Sequence, residues 1–142
     1  LQRLAEVYRQ DHGIDVTATP GTGAAGGLAG GLLVAGGHLR PGFELVADEV
    51  DLDGAFADVD LVITGEGRLD DQSFHGKVVG GVVGWATDRG VPVLAIAGTV
   101  DESVTPPMPV VSLVDRYGAD RSFTEPLACL TEVAAAEVAD RS

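Results

Sequence analysis

The chain has 142 residues, 45% of them hydrophobic and 22% charged, a composition that supports a packed core and argues against disorder. Nine basic residues against 22 acidic ones give a net charge of −13; that field opposes nucleic acid and anionic membrane, and any anionic substrate needs a local basic site. Cys129 is the one cysteine, which excludes an internal disulfide, and with no apolar run of membrane-spanning length the expected setting is a reducing cytoplasm.

Residues 1–10, LQRLAEVYRQ, put Leu1, Leu4, Ala5 and Tyr8 on one helical face that needs a partner. The chain opens on Leu1 and its one methionine is Met108, so it is expected to be part of a longer polypeptide. IDVTAT (14–19) alternates weakly and reads as a strand stopped by Pro20. GTGAAGGLAGGLLVAGG (21–37) reads as a helix packed with glycine. Each interior glycine costs about 1 kcal/mol relative to alanine, a cost accepted where backbones or ligands come close. Residues 38–60 suggest short helices with a turn at Pro41–Gly42.

LVIT (61–64) reads as a short strand buried on both faces. Residues 77–89 predict a helix from Val79, Val82, Val83 and Ala86, closed by Gly90 and Pro92. PVLAIAG (92–98) and PVVSLVD (109–115) read as further strands. The Ser122–Glu125 spacing suggests a capping box opening a last helix, with Leu127, Leu130, Ala134 and Val138 on one face. Cys129 in that helix reads as a buried structural thiol. Continuous apolar strands alternating with helices predict an α/β fold with a mainly parallel, Rossmann-like sheet and flanking helices. Composition places a boundary near residues 55–60.

The chemistry concentrates in LVITGEGRLDDQSFHGKV (61–78), where an apolar strand ends and a helix begins. Ligands of open α/β sheets bind outside the carboxyl ends of strands, and Gly98–Asp101, after the next strand, is expected beside this stretch. Gly65 and Gly67 permit close backbone approach. Arg68 can bind a carboxylate or phosphate, and Lys77, the one lysine, supplies a compact charge at an anion-friendly helix start. Glu66, Asp70 and Asp71 can hold Mg²⁺ or accept a proton. The blander reading is a solvated loop whose charges pair with one another, and Asp71 and His75 fit it best.

GTGAAG (21–26) matches G-x-G-x-x-G after an expected strand, which raises a dinucleotide-binding oxidoreductase as an alternative. Glu44 lies near the acid spacing such a unit wants, but it follows Pro41–Gly42 and no clear second strand. A close-packed glycine helix or a phosphate cradle would use the same residues. Gly76–Lys77 is followed by Val78, and position 71 is aspartate, so the chain has no P-loop. His12, His38 and His75 are scattered and suggest no metal cluster.

PGTGAAGGLAGGLL (20–33), LRPGFELV (39–46), DLVITGEGRLDDQSFHGK (60–77) and GVPVLAIAG (90–98) together resemble the C-terminal part of the bacterial ATP-dependent glycerate kinases that lack a P-loop. The resemblance spans roughly residues 1–140. It implies transfer of the ATP γ-phosphoryl group to a hydroxyl of D-glycerate, with Mg²⁺, in the cleft between two α/β domains. Residues 1–57 would be the tail of an inserted glycine-rich α/β domain and 58–142 the C-terminal half of the Rossmann-like domain. The matching positions are Gly65, Glu66, Gly67, Arg68, Asp70, Gln72, Gly76 and Lys77, with Gly21, Gly23, Gly26 and Gly27.

By that resemblance Arg68 and Lys77 would bind the glycerate carboxylate or the transferring phosphate. Glu66 and Asp70 would hold Mg²⁺ or orient the attacking hydroxyl, Gln72 would bond a substrate hydroxyl, and the Gly21–Gly27 turn would face the cleft. After Gly76–Lys77 the family continues with a small residue and proline, whereas this chain has Val78–Val79, which bears on how Lys77 is held. The family's N-terminal segment, with its Asp-Ser-Phe-Lys-Gly type motif, is absent. The partners implied are glycerate, ATP and that missing N-terminal part, and 1–142 alone is expected to be inactive. An exposed half-domain edge would invite a homo-oligomer. A non-catalytic remnant that keeps only the fold is the other reading.

Overall fold

The computed structural model describes residues 1–140. The chain forms two compact units, Leu1–Pro41 and Gly42–Ser142.

In the first unit, helix α1 (Gln2–His12) ends where Gly13 turns left-handed and its N–H bonds the Arg9 carbonyl. The expected strand at 14–19 does not form. Asp15 instead caps a single 3₁₀ turn, Val16–Ala18, accepting from the Thr17 N–H at 3.0 Å and the Thr17 hydroxyl at 2.6 Å. Short polar side chains offer the backbone a local alternative, and among the described residues no strand in this unit offers a ladder. The Thr22 hydroxyl then donates to the Val16 and Thr19 carbonyls, folding the chain back. G-x-G-x-x-G thus lacks the preceding strand on which the dinucleotide reading depends.

Helix α2 (Ala24–Val34) is two helical pieces joined across left-handed Ala25, Gly26 and Gly27. A Cβ on Gly27 would lie 2.9 Å from Leu1 and 3.0 Å from Leu4, and one on Gly31 would lie 2.9 Å from the Tyr8 hydroxyl. The apolar face of α1 therefore has its partner. The missing side chains of α2 let Leu1, Leu4 and Tyr8 approach closely, although of that face Ala5 alone is buried and Leu1 is 69% exposed.

The second unit begins with helices α3 (Gly42–Glu49) and α4 (Leu52–Ala55). A parallel sheet follows, in the order β1 (Val62–Leu69), β2 (Val93–Val100), β3 (Val110–Ser112). Helix α5 (Val78–Asp88) connects β1 to β2, and α6 (Leu113–Tyr117), α7 (Ala119–Thr124) and α8 (Pro126–Ala139) close the chain. Strand β2 is central and lies between two cores. Val93 and Ala97 join Phe56, Leu69, Val79, Val83 and Ala86, while Leu94 and Ile96 join Leu113, Cys129 and Val133. Cys129 is a buried thiol, as expected.

The compact units divide after Pro41, earlier than the expected 57/58. Residues 42–57 pack against α5: Phe43 meets Trp85 edge-on at 5.8 Å, the Trp85 indole N–H donates to Asp53 at 2.6 Å, and Arg89 pairs with the same carboxylate. Strand β1 is twice the expected length and is an edge strand, not one buried on both faces; Ile63 is 40% exposed. Strand β3 stops at Ser112, because the Ser112 hydroxyl caps α6. Ser122 does not open the last helix. It is buried in α7, where its hydroxyl donates to the Leu113 and Gly118 carbonyls, and α8 starts at Pro126. The face of α8 that packs carries Cys129 and Val133, with Ala134 of the expected face beside them, while Leu127, Leu130 and Val138 stay exposed.

Candidate functional site at the carboxyl ends of two strands

The pairing of β1 with β2 runs from Val62–Val93 to Glu66–Ala97 and resumes at Arg68–Thr99 and Leu69–Val100. Strict alternation would put Leu69 on the opposite face from Val62, yet both contact the α5 core. The phase slips at Gly67 and Gly98, where a Cβ on Gly98 would overlap the Gly67 carbonyl oxygen. Likewise a Cβ on Gly65 would overlap the Ile96 carbonyl oxygen. These glycines let T-G-E-G-R remain strand, so Gly65, Glu66, Gly67 and Arg68 sit on β1 and not in a loop after it. The slip sends Leu69 into the core and leaves Arg68 exposed.

Asp70 closes the strand and opens a 3₁₀ turn, 71–74, by a reciprocal cap: its N–H donates to the Ser73 hydroxyl at 2.9 Å, and that hydroxyl faces its carboxylate at 3.5 Å. Gln72 is exposed in this turn. The His75 ring nitrogen lies 2.7 Å from the Asp71 carbonyl, and both side chains face solvent. The chain then passes Gly76 into Lys77, which is the N-cap residue of α5 with no side-chain cap bond, so the helix does start where expected.

Gly65, Glu66, Gly76 and Lys77 line one cleft of about 630 Å³, whose other wall is apolar: Phe43, Val46, Ala47, Val50 and Leu52. Glu66 also lines a second cleft, of about 520 Å³, with Ile63, Ile96 and Leu113, and its Oε1 is buried with no hydrogen-bond partner. A carboxylate oxygen cut off from water and left unpaired is costly, so it is poised to accept a hydroxyl or bind a cation. Lys77 and the first-turn amides of α5 bring positive potential to the first cleft. Among the described residues no group of His, Cys, Asp and Glu forms a metal cage. One Glu66 oxygen could contribute to a Mg²⁺ ion whose other ligands were waters and phosphate oxygens. Glu66 has an unpartnered oxygen to offer, whereas one Asp70 oxygen faces the Ser73 hydroxyl at 3.5 Å.

Arg68 belongs to a second, shallower depression with Thr99, Val100, Asp101 and Glu102. Its Nη2 donates to the Asp101 Oδ2 at 2.7 Å. Asp101 was not singled out from the sequence, although its strand end was; the signal was the Asp101-Glu102-Ser103 spacing of a side-chain-capped turn. The Ser103 hydroxyl and N–H both donate to Asp101 Oδ1, at 2.6 and 3.0 Å. With Arg68 they hold the Asp101 pKa down to about 2. The remaining candidates, Gly21, Gly23, Gly26 and Gly27, lie in the first unit; Gly23 and Gly27 line its α1–α2 crevice, and Gly21, Gly26 and Gly27 have left-handed backbones.

The model of the glycerate kinase family matches residues 1–134. Glycerate 2-kinase of Escherichia coli K12 is 39% identical over 125 residues, covering 87% of this chain and 31% of that protein. A glycerate kinase of Haemophilus influenzae is 43% identical over 103 residues, covering 72% of this chain and 27% of that protein. The crystal structure of a candidate glycerate kinase 2 from Salmonella typhimurium LT2 superposes with a TM-score of 0.57 at 35% identity, over 96% of this chain and 39% of the other. The chain therefore spans about a third of the length of these relatives. No helix of the described residues is long and apolar enough to cross a membrane. By sequence and fold together, the chain belongs to the glycerate kinase family.

Proposed function

We propose that this chain forms the C-terminal share of an enzyme that transfers the γ-phosphoryl group of ATP to a hydroxyl of D-glycerate, giving phosphoglycerate and ADP. The observation that carries this reading is the cleft lined both by Glu66, on β1, and by Lys77, at the start of α5, together with the unpartnered Glu66 Oε1. Phosphoryl transfer is catalysed mainly by positioning and by neutralising charge, which calls for this mixture of signs.

In this reading Lys77 and the α5 amides bind an anionic group, and Arg68 binds a second one at the neighbouring strand end. Glu66 accepts the proton of the attacking hydroxyl or shares Mg²⁺, the ion that neutralises charge on the nucleotide phosphates. Asp70 shapes the turn and contributes secondarily to the ion, and Gln72 bonds a substrate hydroxyl. Gly65, Gly67 and Gly76 keep the strand end open to close approach. Gly21, Gly23, Gly26 and Gly27 shape the other unit's contribution. The rest of the enzyme comes from the further polypeptide that the longer relatives possess, so residues 1–142 alone are inactive.

The test is ADP release from MgATP with and without D-glycerate, using the protein encoded when the reading frame is extended upstream of Leu1. Glycerate-dependent ADP supports the reading, and product analysis then separates 2- from 3-phosphoglycerate; the name of the E. coli relative specifies the 2-position. A folded extended protein without that dependence leaves a non-catalytic member of the family.

A further inference from the structure

We propose that Asp101 is a positioning residue: its Ser103-anchored carboxylate fixes the Arg68 guanidinium at the end of β1, leaving the remaining N–H donors of Arg68 for an anionic group of the substrate. The identity of that anion, the carboxylate of glycerate or a phosphoryl group of ATP, rests on the kinase reading.

Three observations combine. First, Arg68 is 67% exposed and, among the described residues, its guanidinium bonds only Asp101, through Nη2. An arginine so placed on an edge strand has many rotamers, and freezing it before substrate arrives lowers the entropic cost of binding. Second, Asp101 is itself fixed. Its N–H donates to the Leu69 carbonyl at 2.9 Å, and both Ser103 donors hold Oδ1. Oδ2 is thus presented to Arg68 by a carboxylate that does not swing. Third, the slip at Gly67 and Gly98 keeps Arg68 out of the core and pairs its Cα with Thr99, two residues before Asp101. An exposed ion pair adds little stability; its use lies in where it leaves the other donors, which suit a carboxylate or phosphate.

The experiment uses the extended protein and compares Asp101→Asn, Ser103→Ala, Arg68→Ala and the double variant Asp101→Asn/Arg68→Ala. Asp101→Asn should raise KM for the substrate whose KM Arg68→Ala raises, by roughly threefold to tenfold with kcat within about twofold. Ser103→Ala should move it the same way by less. In the Arg68→Ala background Asp101→Asn should add nothing, because it acts through Arg68. Equal effects of Asp101→Asn with and without Arg68 overturn the proposal, as does an unchanged KM. A readout free of catalysis separates this from failure of the kinase reading: ¹⁵N relaxation of the Arg68 Nε–Hε group. If the wild type shows no glycerate-dependent ADP, the kinase reading fails, and side-chain order that collapses in Asp101→Asn and Ser103→Ala still supports positioning. Order unchanged in both variants overturns it.

Discussion

Gly67 and Gly98 lie against each other across β1 and β2, so closely that a Cβ on Gly98 would overlap the Gly67 carbonyl oxygen. The obstacle is backbone, which cannot rotate away. Gly98→Ala should therefore destabilise the second unit by about 2–3 kcal/mol. Gly84, exposed on α5 with open space where its Cβ would be, provides the opposite case. Gly84→Ala should stabilise by roughly 0.5–1 kcal/mol through helix propensity and a less flexible unfolded chain. Urea midpoints of the two variants decide the matter; a Gly98→Ala midpoint at or above wild type would mean that the strands do not need this approach.

The same glycines explain why the sequence was only partly legible here. VLAIA and the Val79–Val82–Val83–Ala86 period were readable because burial on both faces and on one helical face each leave a plain pattern. G-E-G-R reads as a loop after the strand because glycine and charge are depleted in strands. It remains strand because β2 supplies a ladder partner to its end, which is tertiary information. In α8 the period was visible but the packed face was not. Leu127, Leu130, Ala134 and Val138 look like the apolar stripe, yet the side that packs on the β2 core is centred on Cys129 and Val133, with Ala134 at its edge. Within the site, residue types were readable, but not which charges are already occupied: Asp70 by Ser73, Arg68 by Asp101, and Glu66 Oε1 by nothing.

That difference between two carboxylates yields a prediction for the extended enzyme. Glu66→Gln should lower kcat by roughly 10²-fold or more, the scale of losing a positioned base or charge, and leave the circular dichroism unchanged. Asp70→Ala should cost little in kcat and about 1 kcal/mol in stability, because it removes the capping side chain of the 71–74 turn. Steady-state kinetics with thermal melts on both variants check this. The reverse pattern would make Asp70 the reacting carboxylate.

Asp101 carries a pH signature. Its carboxyl is held down to about 2 from an ordinary 3.8, first by the Ser103 hydroxyl and N–H and then by Arg68. A depressed folded pKa means that the native state favours the carboxylate, so its stabilising effect is fully present above pH 4. It is lost as pH falls from about 4 through 2. Across that window the melting temperature of the wild type should fall more steeply than that of Asp101→Asn, and the two curves should converge near pH 2. Parallel curves would show that the Ser103 and Arg68 contacts do not form in solution.

The first unit can be tested without reference to catalysis. Gly27 has φ +96 in the left-handed stretch of α2, and a Cβ there would meet Leu1 and Leu4 at 2.9 and 3.0 Å. Leucine methyl ends can shift, so the contact alone is inexpensive; the backbone conformation is not, at about 1–2 kcal/mol for a residue with a Cβ. Gly27→Ala should therefore loosen the docking of α1 on α2. Amide exchange in 2–12 should quicken by roughly tenfold, while exchange in β2, which belongs to the other unit, stays as it was. Gly31→Ala meets only the Tyr8 hydroxyl, the far end of a movable side chain, from an ordinary helical backbone. It should be nearly neutral, because the added Cβ improves helix propensity as it crowds the tyrosine. If the two variants exchange alike, crowding and not left-handed strain governs how these helices meet.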